Sequence, residues 1–338
     1  MLDIFSFLGE AYAGFVQIMH DRASTPKGGR GDRALSLYNT LGKELQRFEL
    51  PERVTAVRMY NCGPTVYGIQ HIGNLSMFVF TDVLRRTLEK NSFPVKQVIN
   101  ITDFGHLTSD ADEGEDKMTK GLKREKMKVT MENMATLAER YTQIFFDDLT
   151  KLNIDIAKIE FPRASAYITA QIAMIKSLEE KGYAYQTENG VYFDTSLFPA
   201  YGALGDIDLA GLKEGAPYSA EATKGRRIAF DPNKQHPTDF LLWKSDKKIG
   251  WDSPWGKGFP GWHIECSAMI RSTLGEQIDI HTGGIEHIPV HHNNEFAQSE
   301  AATGKKPFSR FWIHRAHIRI EGGKIAKSQG NVVYLSNI

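Results

Sequence analysis

Residues 57–103 limit what this chain can fold into more than any other stretch. "VRMYNCG" (57–63) is a short β-prone run ending in a glycine turn. "LSMFVFTDVLRRTLEK" (75–90) follows, with Leu75, Phe78, Val79, Val83, Leu84 and Leu88 at helical spacing. "PVKQVINITD" (94–103) is β-branched and reads as a second buried strand. Strand, turn, helix, strand is a βαβ unit, which is right-handed and builds parallel sheets. Open parallel sheets bind ligands at the carboxyl ends of their strands. "CGPTVYGIQHIGN" (62–74) and "TDFGH" (102–106) both fall at such ends.

The chain has 338 residues, enough for one large domain or two modest ones. Lysine plus arginine and aspartate plus glutamate both number 41, so net charge announces no nucleic-acid partner. No run of about 18 apolar residues reads as a membrane span. The first twenty residues are broken by Asp3 and Glu10 and lack a basic start, so the expected location is cytoplasmic. "DRASTPKGGRGDR" (21–33) reads as a linker, which makes residues 1–35 an extension. An acidic then basic run over 110–130 reads as a solvated loop and helix face. Residues 131–182 read as mostly helical, "QIDIHTGG" (277–284) as a strand, and "NNEFAQSEAATG" (293–304) as a helix stopped by Gly304. "FWIHRAHIRI" (311–320) reads as another strand. The fold expected is α/β, a Rossmann-like parallel sheet in two halves, 36–150 and 239–338, with an α+β insertion over 151–238.

Two cysteines, Cys62 and Cys266, make no disulfide scaffold in a chain this long. With the polar cluster from His281 to Glu295 they offer metal donors; His291 and Glu295, four apart, share a helical face. Spacing alone leaves both a zinc set and two inert core cysteines open. At "HIGN", Gly73 lets backbone come close, and the following helix N-terminus favours a phosphate flanked by His71 and Asn74. A plain helix cap with Asn74 as the capping residue is equally compatible. "GGKIAKSQGN" (322–331) carries Lys324, Lys327 and Ser328 on a glycine-rich loop. It suits closure over a polyphosphate, or a plain exposed loop, and it is not a Walker A sequence.

These stretches together resemble the cysteinyl-tRNA synthetases, a branch of class I. "CGPTVYGIQHIGN" is similar to their HIGH-motif region and "KIAKS" (324–328) to their KMSKS loop. "NITD" (100–103), "GWHIECSAM" (261–269), "DIHTGG" (279–284) and "HHNNEFAQSEAATG" (291–304) match in the same order, so the resemblance covers about residues 36–336. It implies a class I synthetase fold with a connective insertion. It implies zinc held by Cys62, Cys266, His291 and Glu295, so that the two cysteines are partners through a metal. Gly63, Thr102, Trp262 and His281 would bind L-cysteine; Gly73, His71, Asn74, Lys327 and Ser328 would bind ATP with Mg²⁺. His71, Asn74, Lys324 and Lys327 would carry catalysis. The reaction implied is cysteinyl-adenylate formation and transfer to the acceptor end of tRNA(Cys), by a monomer.

The sequence departs from the family pattern in places. Asn74 fills the fourth HIGH position, and Ile325 and Ala326 replace Met and Ser of KMSKS. The family continues with a helical bundle and an anticodon-reading domain; the expectation here is a catalytic portion without them, whose tRNA selection is open. Two other expectations remain: a cysteine-adenylating ligase with an amino-sugar acceptor, as in mycothiol synthesis, and a non-catalytic paralogue.

Overall fold

The computed structural model describes residues 35–105, 116–205, 234–320, 323–325 and 332–338. The expected linker at 21–33 lies outside them, as do Lys327 and Ser328. In chain order the main elements are β1 (Ser36–Asn39), β2 (Glu44–Arg47), β3 (Val57–Asn61), α1 (Ile72–Lys90), β4 (Val95–Ile99), α2 (Lys117–Arg124) and α3 (Met131–Lys151). Then come β5 (Ile159–Glu160), α4 (Ile168–Glu180), β6 (Ala184–Thr187), β7 (Gly190–Phe193), β8 (Phe240–Ser245) and β9 (Gly258–Pro260). The last are α5 (Trp262–Thr273), β10 (Ile278–Gly284), α6 (Asn293–Thr303), β11 (Ser309–Arg315), β12 (Arg319–Ile320) and β13 (Gly323–Lys324).

Five strands form one parallel sheet in the order β11-β10-β3-β4-β5. The βαβ unit read from the sequence is β3-α1-β4, and the order reverses between β3 and β10. The central strands β3 and β10 are buried on both faces, as in a parallel sheet covered by helices. Alternation along β3 sends Val57 and Met59 to a cluster with Met77, Phe80, Leu84 and Leu88 of α1. It sends Tyr60 and Cys62 to the opposite cluster, with α4, α5 and α6. A second, antiparallel sheet runs β6-β7-β8-β9. It takes two strands from before residue 238 and two from after it, while β5 joins the parallel sheet; the strands thus straddle the ends expected for the insertion.

Two details differ from the sequence reading. Val79 and Val83 of α1 face solvent, at 37% and 45% exposure, while Met77 and Phe80 are buried. The helix lies between two apolar clusters, Leu75 and Phe78 entering one and Met77, Phe80, Leu84 and Leu88 the other, so its buried arc turns away from 79 and 83. The basic part of 110–130 is not wholly solvated either: Met118 and Leu122 of α2 are fully buried against α3.

The buried arc of α1 also holds charge. Arg85 donates to Asp82 and, at 3.0 Å, to Glu89, and Arg86 Nε reaches Asp82 at 2.6 Å. Without Asp82 the buried Arg85 guanidinium keeps only Glu89, so its desolvation is less fully offset, and Arg86 loses its contact too. Asp82→Ala is expected to lower stability by about 3 kcal/mol, read as a lower urea midpoint; an unchanged midpoint would show the pair to be dispensable.

Candidate metal centre and nucleotide site

Cys62 follows β3 directly, and its N–H donates to Thr282 O at 3.2 Å, continuing the β3–β10 ladder. Cys266 sits on α5. His291 lies in a π-helical turn, Ile288–His292, that runs into α6, where Glu295 occupies the first turn. Such turns widen a helix locally and recur at functional sites. One donor atom from each of Cys62, Cys266, His291 and Glu295 falls within 4.8 Å of all the others, and all four residues are buried.

Histidines back three of these donors. Glu295 Oε1 accepts from His291 Nε2 at 2.7 Å, and Oε2 accepts from His281 Nε2 at 2.8 Å. His291 Nδ1 lies 2.9 Å from His263 Nδ1, and Cys62 Sγ lies 3.3 Å from His292 Nε2. Because His281 and His292 come this close, a second set, Cys62, His281, His292 and Glu295, meets the same 4.8 Å limit. The two sets share Cys62 and Glu295.

The electrostatics follow from burial and proximity. Burial, then the Cys266 sulfur, pushes the Cys62 thiol well above its ordinary value. The hydrogen bond from Cys62 outweighs burial at Cys266, pulling that thiol down to about 6. Burial works against the His291 imidazolium, but Glu295 and Cys266 beside it raise it to about 10. Burial likewise opposes the Glu295 carboxylate, yet His281 and His291 hold it below the usual carboxylate range.

Two sulfurs, an imidazole and a carboxylate in a dry site fit a zinc ion, whose charge offsets what burial otherwise penalises. In the metal-free chain the raised Cys62 and His291 favour their protonated forms, and the lowered Cys266 and Glu295 their ionised forms. Zinc uptake is therefore expected to release about two protons, and affinity to rise with pH from about 6 to 9. Calorimetry in buffers of different ionisation enthalpy measures this; release of no protons would contradict it.

Beside the cluster, Gly63 N–H donates to Asn100 Oδ1 at 2.8 Å. Asn100 Nδ2 donates to Thr102 Oγ1 at 3.3 Å, and Thr102 Oγ1 donates to Glu265 Oε2 at 2.9 Å. Among the described residues, Glu265 Oε1 and His281 Nδ1 are buried without a hydrogen-bond partner, which marks polar capacity for a ligand. Burial, with Cys266 adjacent, pushes the Glu265 carboxyl well above its usual value. The Trp262 ring lies 4.4 Å from the His291 ring, and Lys117 Nζ lies 5.1 Å from the Trp262 ring centre. His281 stacks on Trp312 at 4.7 Å and meets the Tyr60 ring edge.

At the other end of "CGPTVYGIQHIGN", α1 begins at Ile72, and His71 is its N-cap: Nδ1 accepts from Asn74 N–H at 3.2 Å. Asn74 is therefore in the first turn, not the capping residue; the imidazole takes that place because it folds back over Gly73. A Cβ on Gly73 would stand 3.0 Å from that ring and 3.6 Å from Ile325 Cβ. The segment after the lysine loop returns to the same point: Ile72 N–H donates to Val333 O at 2.9 Å, and His71 bridges Tyr334. Lys324 ends β13, and Ile325 beside it is buried.

Residues 49–338 match the family described as tRNA synthetases class I (C) catalytic domain. The chain belongs to the class I tRNA synthetases, in the branch that this (C) catalytic domain defines. It is 46% identical over 310 residues to a cysteine–tRNA ligase of Treponema denticola, covering 90% of this chain and 59% of that one. It is 46% identical to cysteine–tRNA ligase 1 of Burkholderia lata, with 90% and 62% covered. The chain thus spans about 60% of the length of these curated relatives. A Mycobacterium tuberculosis methionyl-tRNA synthetase bound by methionyl-adenylate shares the fold: TM-score 0.58, 13% identity, 82% of this chain and 60% of that one covered. Among the described residues no helix is long and apolar enough to cross a membrane.

Sequence reasoning missed several groups around this class I synthetase site: His263, His314, Glu265, Asn100 and Lys117; His292 lay within the His281–Glu295 cluster already read as donors. "GWHIECS" carries a signal for His263, which neighbours a donor already singled out. Lys117 lay inside a charge run and offered none. Among the described glycines Gly63 has the tightest surroundings: a Cβ there would stand 1.6 Å from Asn100 O. Gly63→Ala must push the ends of β3 and β4 apart and is expected to cost about 3 kcal/mol. It should also lose bound zinc; wild-type melting with full zinc content would refute this.

Proposed function

We propose that this chain carries a cysteine-activating site, which forms cysteinyl-adenylate from L-cysteine and ATP and passes the cysteinyl group to tRNA(Cys). The carrying observation is the buried cluster of Cys62, Cys266, His291 and Glu295, on the same strand-to-helix connection that ends in the HIGH-like helix start. The names of the relatives support tRNA, rather than an amino sugar, as the acceptor.

These four residues would hold zinc, in preference to the overlapping set, because they bring two sulfurs instead of one. When bound, zinc supplies a soft Lewis acid that takes a thiolate far better than a hydroxyl. Cysteine must be told from serine, and a pocket sensing size alone yields only about 1–3 kcal/mol. Gly63, Thr102, Trp262 and His281 would line the amino-acid pocket, with Glu265 orienting the Thr102 hydroxyl.

In the first step a carboxylate oxygen of cysteine attacks the α-phosphorus of ATP, and pyrophosphate leaves. Catalysis is positioning and charge stabilisation, with no enzyme nucleophile. His71 and Asn74 would flank the phosphates at the α1 N-terminus, where free N–H groups and the helix dipole favour negative charge. Gly73 keeps that approach open. Lys324, Lys327 and Ser328 would close over the pyrophosphate, and Mg²⁺ would accompany ATP. In the second step the 2′-hydroxyl of the terminal tRNA ribose attacks the acyl carbon and AMP leaves.

The test is ATP–pyrophosphate exchange by the zinc-loaded chain. Exchange is expected with cysteine and not with serine, and Cys266→Ala is expected to lose zinc and at least about a hundredfold in exchange. A zinc-loaded chain that exchanges with neither amino acid would overturn the activation reading. Full zinc content in Cys266→Ala would overturn the ligand set.

A further inference from the structure

Behind Cys62 runs a chain of hydrogen-bonding groups that no role above uses. Cys62 Sγ lies 3.3 Å from His292 Nε2. His292 Nδ1 lies 2.6 Å from His314 Nε2, and His314 Nδ1 lies 2.8 Å from Thr40 Oγ1. Four groups from four separate segments therefore stand in line: the end of β3, the π-helical turn, β11 and the residue after β1. His292 is fully buried, and Thr40 is pinned by its own N–H, which donates to Trp312 O at 2.8 Å.

The direction of such a line is set by its ends. A neutral imidazole donates from one nitrogen and accepts at the other. A thiolate only accepts. If Cys62 is a metal-bound thiolate, His292 Nε2 must carry the proton that faces it. His292 Nδ1 is then an acceptor, so His314 Nε2 carries a proton and His314 Nδ1 accepts. Thr40, whose hydroxyl serves either way, must donate. The opposite polarity leaves a bare His292 Nε2 lone pair against the sulfur. That arrangement suits only a protonated Cys62 thiol or a metal ion on His292 itself, as in the overlapping donor set.

The geometry points to Thr40, His314 and His292 as a one-way relay of positioning residues that presents an N–H to Cys62 Sγ. This rests on the proposed zinc reading. The relay does two things for the site. It locks His292 in one tautomer and keeps it off the metal, so that the two overlapping sets do not compete. It also draws electron density from the Cys62 thiolate, which leaves a metal bound there more receptive to an incoming sulfur. Groups of this kind, one step behind a ligand, typically change metal affinity about 10- to 100-fold.

The direct test uses the whole chain with ¹⁵N-labelled histidine and one equivalent of zinc. Long-range ¹⁵N–¹H correlation reads each tautomer, and His292→Asn and His314→Asn assign the signals. Both His292 and His314 are expected as Nε2–H tautomers. Thr40→Val is expected to weaken zinc binding about tenfold in chelator competition and to shift the sulfur-to-metal charge-transfer band of the cobalt(II)-substituted chain. Thr40→Ser should restore both. An Nδ1–H tautomer at His292, two zinc ions per chain, or unchanged affinity and spectrum in Thr40→Val would each overturn the relay. A chain that takes up no zinc at all would instead sink the reading of the metal centre on which the relay stands.

Discussion

A carboxylate sealed away from water must be partnered on both of its oxygens, and Glu295 meets that demand with His291 on Oε1 and His281 on Oε2. Much of the surrounding structure serves this one requirement. His281 is placed by the register of β10 against β3, where it stands opposite Tyr60. His291 is placed by the π-helical turn that precedes α6. That helix is buried from Asn293 to Ala302, and several of its polar groups find partners inside: Gln298 Nε2 donates to His263 O, and Asn293 Nδ2 donates to Leu204 O. A helix interior this polar is worth its desolvation only where chemistry needs the polarity.

The two ends of "CGPTVYGIQHIGN" serve different partners. Cys62 points into the donor cluster, and His71 caps the helix that faces the other half of the site. Gly63 stands where a side chain would collide with Asn100 O, and Gly73 where one would crowd the His71 ring. The stretch is therefore a pair of anchors on either side of the carboxyl end of β3. The segment beyond the lysine loop is tied to the second anchor through Ile72 and Val333.

Local pattern made parts of this fold legible. A short β-prone run at 57–63 and a β-branched run at 94–103, with a helical period between them, announced β3-α1-β4. Gly304 announced the end of α6, where it takes the left-handed conformation at φ 71°. The same pattern misjudged Val79 and Val83, since period alone gives one apolar stripe and α1 packs into two clusters. It also passed over β8 and β9 as partners of β6 and β7, because antiparallel pairing across some fifty residues leaves no local signal.

For the site, the sequence by itself determined the donor chemistry: two sulfurs, a histidine four residues before a glutamate, and a glycine-bounded turn ahead of a helix. Composition and short spacing carry that much, because side-chain type and helical phase are local properties. Only the tertiary structure decided that Cys62, 204 residues before Cys266, lies with it in one buried cluster. It alone put His263, His281 and His292 behind the donors, turned His71 rather than Asn74 into the cap, and set Lys117 over Trp262. These juxtapositions come from strand register and helix packing between distant segments, which residue spacing cannot encode.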